Sequence, residues 1–194
     1  MKLLAIYGSP RKDGNSDILL DEAWKGAGIT AEKVYIRDLD IKPCTGCRSC
    51  DSTGKCIISD DMAQLYKKIE EADRIILSSP IFFYGLPGKL KGMADRAQCY
   101  WVRKYKLKSG QPRAGKFDRK LGSFICVGAT AGEKLFDGVK LTVKYFYDVF
   151  NIEYFSELLV RKVDNKGDIL ATNSPKEAQE LGRKLCEPVH PSHS

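Results

Sequence analysis

The sequence predicts one α/β domain in which helices cover both faces of an open, parallel β-sheet. Short apolar runs, typical of buried strands, alternate with longer stretches whose apolar residues recur every three to four positions, as in amphipathic helices. Helices that join successive strands place those strands in parallel, because such crossovers are right-handed. The 194 residues, of which 43% are hydrophobic and 29% charged, fit one globular domain at 1–187 with a tail at 188–194.

The first half of the chain contains three predicted strands and two predicted helices. The strands are expected at residues 3–7, 33–36 and 74–79. Asn15 and Ser16 are predicted to cap the first helix, since short polar side chains bind the free N–H groups of a first turn. Asp60 and Asp61 are predicted to begin the second helix, where the helix dipole favours negative charge.

The second half is predicted to add three helices and two strands. The helices are expected at about residues 87–105, 135–150 and 174–186, and the strands at 120–127 and about 152–160. Ser174, Pro175 and Glu177 combine a capping box with proline at the first helical position, which indicates the start of the last helix.

Several function classes are excluded by what the chain lacks. No apolar run approaches the roughly 18 residues of a membrane span, and the apolar start is too short for a signal peptide, so we expect a cytoplasmic protein with no membrane partner. Both histidines, His190 and His193, lie in the tail, which excludes a histidine-based triad or metal site within the domain. Ser9 lacks the G-x-S-x-G context of a hydrolase nucleophile.

The loop after the first strand has the composition of an anion site. In open parallel sheets, ligands bind beyond the carboxyl ends of the strands. Here Ser9, Arg11, Asn15 and Ser16 supply polar donors next to a helix N-terminus, whose N–H groups and dipole suit a phosphate. The dinucleotide and triphosphate motifs are absent, which favours a phosphate monoester. The alternative is a polar turn whose side chains serve only as caps.

The loops after the third and fourth strands reach the same edge of the sheet. The first of them contains Pro80, Ile81, Phe82, Phe83, Tyr84 and Gly85. Its aromatic side chains either flank a planar ring or belong to the core. The second contains Ala129, Thr130, Ala131 and Gly132. Such small residues let backbone N–H groups approach a ligand closely, although the same composition also makes an ordinary loop.

Four of the seven cysteines form one dense segment. They are Cys44, Cys47, Cys50 and Cys56, with the spacing C-x2-C-x2-C-x5-C. Bacterial ferredoxins open with a similar pattern, so the segment predicts a self-contained [4Fe-4S] site, although the proline that ends the ferredoxin motif is absent. Zinc is the main alternative to the cluster, and a loop that holds no stable metal is the third interpretation. We expect Cys99, Cys126 and Cys186 to be inert core residues.

Together the motifs resemble one known superfamily. They are Gly8-Ser9-Pro10-Arg11, Gly14-Asn15-Ser16, Ser79-Pro80-Ile81, Gly85-Leu86-Pro87, Lys89-Leu90-Lys91, Asp95-Arg96 and the glycine-rich fourth loop. Over about residues 1–160 they resemble the flavodoxin-like NAD(P)H-dependent FMN reductases, and the cysteine segment is similar to that of the iron–sulfur flavoproteins. The resemblance implies a flavodoxin-like three-layer sandwich whose five parallel strands lie in the order 2-1-3-4-5.

The resemblance also implies an FMN site. The phosphate is expected at Ser9, Arg11, Asn15 and Ser16, the ring system along residues 80–85, and its far side at residues 129–132. Many relatives have tyrosine where this chain has Phe82, so any hydrogen bond from that hydroxyl is missing here.

The implied activity is that of an FMN-dependent oxidoreductase. Electrons would pass between NAD(P)H or a reduced ferredoxin-like carrier, FMN and a [4Fe-4S] cluster, with a small-molecule electron acceptor, in a homodimer or homotetramer. One alternative is an FMN reductase or a quinone-reductase-like flavoprotein without a cluster. An alternative of another class is a zinc-containing basic module that binds nucleic acid or senses redox state, which leaves the phosphate loop unexplained.

The net charge of +7 is concentrated in one segment. Residues 101–120 hold eight lysines and arginines against a single acid, Asp118. We interpret this segment as a flap or interface arm near the sheet edge, not as a nucleic-acid platform. Its charge suits an acidic electron carrier, the 2′-phosphate of NADPH or acids on a neighbouring subunit, and a solvated loop is the simpler alternative.

Overall fold

The computed structural model describes residues 1–109 and 119–187 and shows a five-stranded, all-parallel sheet. The strands are β1 (Leu3–Tyr7), β2 (Ala31–Tyr35), β3 (Arg74–Pro80), β4 (Lys120–Val127) and β5 (Ile152–Val160). Their order in the sheet is β2-β1-β3-β4-β5, which confirms the predicted fold class. Residues 110–118 of the basic segment and the tail at 188–194, with both histidines, lie outside the described residues.

Helices cover both faces of the sheet and produce two cores. They are α1 (Asn15–Gly26), α2 (Cys50–Thr53), α3 (Met62–Glu71), α4 (Gly88–Asp95), α5 (Gln98–Trp101), α6 (Asp137–Val149) and α7 (Ser174–Cys186). The helices α1 and α7 pack on one face around residues such as Leu19 and Leu181. The helices α3 to α6 pack on the other face around Met62, Met93 and Val143. No helix within the described ranges is both long and apolar enough to cross a membrane.

Close packing of α1 against α7 depends on two glycines. A Cβ atom at Gly182 would lie 1.7 Å from the carbonyl oxygen of Ala23, and one at Gly26 would lie 2.1 Å from that of Gln179. Any larger residue at either position would therefore force the two helices apart.

Two element predictions were wrong in detail. The second strand begins at Ala31, two positions before the expected start, and ends at Tyr35, one position before the expected end. The single helix expected at 87–105 is divided into α4, α5 and a π-helical turn at Val102–Lys106. The division occurs where the Arg96 carbonyl accepts a hydrogen bond from the Tyr66 hydroxyl at 2.6 Å, while the Tyr100 N–H bonds to Ala97 instead.

The predicted caps of α1 and α7 also differ from those observed. Gly14 occupies the N-cap position of α1, and Asn173 that of α7, and neither makes a side-chain capping bond. The predicted roles of Asn15, Ser16 and Ser174 as caps are therefore wrong, because each of these residues already lies within the first helical turn.

Candidate functional site

The loop after β1 is a tight turn that leads directly into the N-terminus of α1. The Gly8 N–H donates to the Ser78 carbonyl at 2.8 Å, and Ser9 Oγ bonds both the N–H and the carbonyl of Arg11, at 3.1 and 3.0 Å. Ser9 and Ser16 are buried, whereas the Arg11 side chain is exposed. The first turn of a helix has N–H groups without helical partners, so this turn offers the backbone donors that a phosphate requires.

The Asn15 side chain is bound to a distant loop. Its Nδ2 donates to the Asn165 carbonyl at 2.9 Å, and its Oδ1 accepts from the N–H groups of Gly167 at 2.9 Å and Ile169 at 3.5 Å. Asn15 therefore joins the start of α1 to the loop that follows β5. What it can offer a ligand at the turn is its backbone N–H group.

A buried ion pair that the sequence analysis did not identify lies behind this turn. Arg37 Nη1 donates to Asp17 Oδ2 at 2.9 Å and to the Ser9 carbonyl at 3.3 Å. Asp17 Oδ1 is buried without a hydrogen-bond partner in the described parts of the chain. Burial raises the pKa of Asp17 to about 6, although the charge and hydrogen bond of Arg37 act against this. Arg37 thus connects the phosphate turn to α1.

The loop after β3 presents aromatic side chains on a strained turn. The N–H of Phe82 bonds to the Gly85 carbonyl, and the N–H of Gly85 bonds to the Phe82 carbonyl, both at 2.9 Å. Between them, Phe83 and Tyr84 have positive φ values of 45° and 60°, a conformation that glycine or asparagine usually occupies in such turns. Phe83 is fully exposed, so the prediction of a core role for these aromatics is wrong and a ligand-facing role stays a prediction.

The loop after β4 lies against this aromatic turn. A Cβ atom at Gly132 would lie 3.6 Å from the Tyr84 hydroxyl, and Arg161 donates to the Gly132 carbonyl at 3.3 Å. Residues 129–132 are exposed beyond the buried Gly128. The structure therefore brings the loops after β3 and β4 together at the carboxyl edge of the sheet, as predicted from the fold class.

The cysteine segment surrounds one cavity of about 710 Å³. Its lining includes the four predicted ligands Cys44, Cys47, Cys50 and Cys56. Hydrogen bonds from Ser49 lower the pKa of the Cys47 thiol, whereas burial raises that of Cys50. After the short helix α2, Gly54 adopts the left-handed conformation at φ 65°, which turns the chain back towards Cys56. The cations Arg48, Arg96 and Lys106 also line the cavity.

A second buried ion pair closes the base of the cysteine segment. Arg96 forms a forked pair with Asp60, with N–O distances of 2.6 and 3.2 Å. The Arg96 side chain is 1% exposed and that of Asp60 is fully buried. Burial acts to raise the pKa of Asp60, but hydrogen bonds from Arg96 and from the N–H groups of Lys42 and Met62 lower it. The sequence signal for this pair was an arginine beside the apolar stripe of its helix, three residues after Met93.

Cys99 is buried, as predicted, but it is not remote from the other cysteines. It lines the same cavity, and its thiol donates a hydrogen bond to the Arg96 carbonyl at 3.5 Å. Its thiol also bonds to the Tyr66 hydroxyl at 3.5 Å. Cys126 is buried within β4, and burial raises its pKa. Cys186 is half-buried in α7.

The cysteine segment fits a cluster in its donor set and its cavity, but its side chains are not gathered around one point. Among residues 1–109 and 119–187, no three histidine, cysteine, aspartate or glutamate side chains lie together as ligands of one ion. A single zinc ion needs its sulfurs within about 2.3 Å. A cubane distributes its thiolates over four irons, so the four cysteines would surround a larger group than a single zinc ion.

The described part of the basic segment packs on the cysteine segment. Arg103 Nε donates to the Gly54 carbonyl at 2.7 Å, and Lys106 pairs with Asp51 at 3.0 Å. Arg103 and Lys104 further pair with Glu70 and Asp148, at 3.3 and 2.9 Å. The first turns of the segment expected as a flap or interface arm are therefore helical and have acidic partners on this chain, and the role of the segment stays a prediction.

Comparisons with known proteins agree with this geometry. A family model described as NADPH-dependent FMN reductase matches residues 1–137. The chain is 34% identical over 206 residues to an iron–sulfur flavoprotein of Methanocaldococcus jannaschii, with 97% of each protein covered. It is 28% identical over 198 residues to an iron–sulfur flavoprotein of Methanosarcina thermophila, which covers 96% of this chain and 94% of the relative.

The fold is shared with solved structures at lower identity. An NAD(P)H:quinone oxidoreductase from Methanothermobacter marburgensis matches with a TM-score of 0.69 and 17% identity, over 95% of this chain and 98% of that chain. A likeness at this identity shows the fold, while the family follows from the sequence matches. The chain therefore belongs to the NADPH-dependent FMN reductase family, in its iron–sulfur flavoprotein branch, and is an FMN-dependent oxidoreductase.

Proposed function

We propose that the protein passes electrons between NAD(P)H or a reduced ferredoxin-like carrier, FMN and a [4Fe-4S] cluster, and delivers them to a small-molecule acceptor. The cavity that all four clustered cysteines line, with three cations around it, is the observation that carries the cluster part of this proposal. A flavin exchanges one or two electrons and an iron–sulfur cluster one, so the pair joins two-electron to one-electron chemistry.

The FMN site is proposed at the edge formed by the loops after β1, β3 and β4. The phosphate would be held by Ser9, Arg11, the backbone N–H of Asn15 and Ser16. Arg11 is exposed and can bind two phosphate oxygens, while Ser9 shapes the turn through its bonds to Arg11. The turn at residues 80–85 would flank the ring system, and the small residues 129–132 would leave room for backbone donors at its far side.

The proposed ligands of the cluster are Cys44, Cys47, Cys50 and Cys56. Arg48 lines the cavity and would offset the negative charge of bound thiolates, which should raise the reduction potential, whereas Lys106 is already paired with Asp51. The aromatic Trp101 forms another part of the cavity wall and is 44% exposed. These residues would therefore hold the group in a partly solvated setting with charges of both signs, since Asp51 and Asp95 also line the cavity.

Metal analysis of anaerobically purified protein tests the cluster. We expect about four irons and four acid-labile sulfides per chain, together with flavin absorption. Cys47→Ala should lose iron and sulfide and keep FMN, because the flavin site lies on other loops. Cys186→Ala, a half-buried cysteine in α7, is the matched control and should keep both. A colourless protein with stoichiometric zinc would contradict both the cluster and the flavin assignments.

A cluster-free FMN reductase is the second candidate function. It is favoured by the lack of three converging ligand side chains among the described residues. Protein that binds FMN, retains no iron after anaerobic reconstitution and reduces a quinone with NAD(P)H would support this candidate. The nucleic-acid alternative is weakened, because Arg103, Lys104 and Lys106 already have acidic partners on this chain.

The oligomeric state is proposed to be a homodimer or a homotetramer. An exposed apolar surface on α6, formed by Leu141 and Tyr145, supports a further packing contact. Light scattering after size-exclusion chromatography measures the mass directly. A mass of about one chain at micromolar concentration would contradict the proposal.

A further inference from the structure

Arg96 joins both ends of the cysteine segment. Its Nη1 donates to the Lys42 carbonyl at 2.9 Å, two residues before Cys44, and its Nη2 donates to the Ile58 carbonyl at 3.2 Å, two residues after Cys56. The two carbonyls are 16 positions apart in the sequence, and one planar guanidinium holds both. The closure of the segment therefore depends on one buried side chain.

Asp60 completes this closure from the other side. Its Oδ2 accepts from the Lys42 N–H at 3.0 Å, and its Oδ1 accepts from the Met62 N–H at 3.1 Å. Because both carboxylate oxygens also bind Arg96, the pair forms one connected network with the backbone on either side of the cysteines. Such a connected buried network holds its surroundings in one arrangement.

One donor of this network is left over. Arg96 Nε is buried and has no hydrogen-bond partner in the described structure. Arg96 as a whole is only 2% exposed, and it lines the cysteine cavity. The proposed ligand Cys56 lines the same cavity. A buried N–H without an acceptor costs about 1–3 kcal/mol, and because Arg96 lines the cavity, a sulfur of a group bound there could supply the missing acceptor.

We propose that Arg96 is a positioning residue for the cluster: it fixes both ends of the cysteine segment and donates its Nε–H to a sulfur of the bound group. The inference rests on the proposed function, because it requires that a sulfur-ligated group binds in the cavity. A buried cation that donates to cluster sulfur stabilises the reduced state and raises the reduction potential.

The test compares three single variants of the full, anaerobically reconstituted protein. Arg96→Lys keeps a positive charge beside Asp60 but loses the planar fork and the Nε–H. Arg48→Gln removes an exposed cation from the same cavity. Arg74→Lys changes a second buried arginine, which begins β3 at the amino ends of the strands. Its guanidinium donates to the carbonyls of Leu185, Asp73 and Arg119.

Two measurements are made on each variant: the cluster potential, by redox titration with electron paramagnetic resonance, and the rate of iron loss to a chelator. Arg96→Lys should shift the potential to more negative values and speed iron loss by about 10- to 100-fold, the usual effect of changing an outer-shell partner. Arg48→Gln should shift the potential less, since water screens an exposed charge. Arg74→Lys should keep the wild-type potential even if it unfolds more easily.

Different results would overturn the cluster proposal and the role of Arg96. A wild-type protein that takes up no iron and sulfide would overturn the cluster proposal and the role of Arg96 with it. A wild-type cluster whose potential and iron retention are unchanged in Arg96→Lys would overturn only the role of Arg96. Equal shifts in Arg96→Lys and Arg74→Lys would show a general effect of stability and would also overturn it.

Discussion

The phosphate turn and the cysteine segment each have an arginine–aspartate pair behind them, and the two pairs behave differently. The carboxylates of Asp17 and Asp60 are almost equally buried, at 4% and 0% exposure. Nevertheless the pKa of Asp17 is raised to about 6, while that of Asp60 is lowered. Burial alone therefore does not set the charge state of either carboxylate.

The difference arises both from the deeper burial of Asp17, which is a buried residue whereas Asp60 is half-buried as a whole, and from the number of donors around each carboxylate. Asp60 accepts bonds from both Arg96 nitrogens and from two backbone N–H groups. Asp17 has an arginine at Oδ2 and no partner for Oδ1 in the described chain. Hydrogen bonds to the charged form offset the desolvation that burial imposes. The hydrogen bonds thus favour the charged form of Asp60 beside the cysteine segment, whereas Asp17 beside the phosphate turn has a pKa of about 6 and becomes neutral in mild acid.

The largest expected effect is on stability when each aspartate is removed. Asp60→Ala leaves the Arg96 cation buried without its counter-ion, which should lower the free energy of unfolding by about 3–5 kcal/mol. Asp17→Ala should cost about 1 kcal/mol, because Arg37 is 15% exposed and can be solvated. Urea unfolding at pH 7 measures both losses, and equal losses would contradict the comparison.

The raised pKa of Asp17 should make the free energy of unfolding depend on pH. The folded chain binds a proton at Asp17 more tightly than the unfolded chain, since its pKa is raised from 3.8 to about 6. Relative to Asp17→Asn, the wild-type free energy of unfolding should therefore be greatest below about pH 4 and fall by at most about 3 kcal/mol as the pH rises through 6. A difference between the two proteins that rises over this range would contradict the assignment.

The phosphate turn is tested directly by FMN affinity. Arg11→Ala removes a charge-assisted bond worth about 1.5–3 kcal/mol, so the Kd for FMN should rise about 10- to 100-fold. Lys12→Ala, an exposed cation next in the loop, should have little effect. Fluorescence titration of deflavinated protein measures both, and riboflavin, which lacks the phosphate, should not distinguish Arg11→Ala from wild type.

The smallest expected effect concerns the strained aromatic turn. Phe83→Asn should stabilise the fold by about 1 kcal/mol, because asparagine tolerates φ 45° better and the exposed ring loses no packing. FMN binding should weaken if the ring contacts the flavin. Phe155→Asn, which changes an exposed phenylalanine in β5, should not stabilise. A lower melting temperature for Phe83→Asn would show that strain is not stored at this turn.

Much of the fold could be predicted from the sequence, because strand and helix periodicity are local properties. The bounds of β1, β4 and β5 agree with the predictions, and the loops of the candidate site follow the expected strands. The break between α4 and α5 could not be predicted in this way. It depends on the Tyr66 hydroxyl, which reaches the Arg96 carbonyl from another helix.

For the candidate site, the donor types could be read from the amino-acid order: the cysteine spacing, the phosphate turn and the small residues of the fourth loop. How these side chains are used depends on the packed fold. Asn15 binds a loop 150 positions away, and Arg96 pairs with Asp60 across 36 positions. Motif spacing records neighbours along the chain, whereas burial and hydrogen-bond partners depend on residues that meet only when the sheet and its helices have packed.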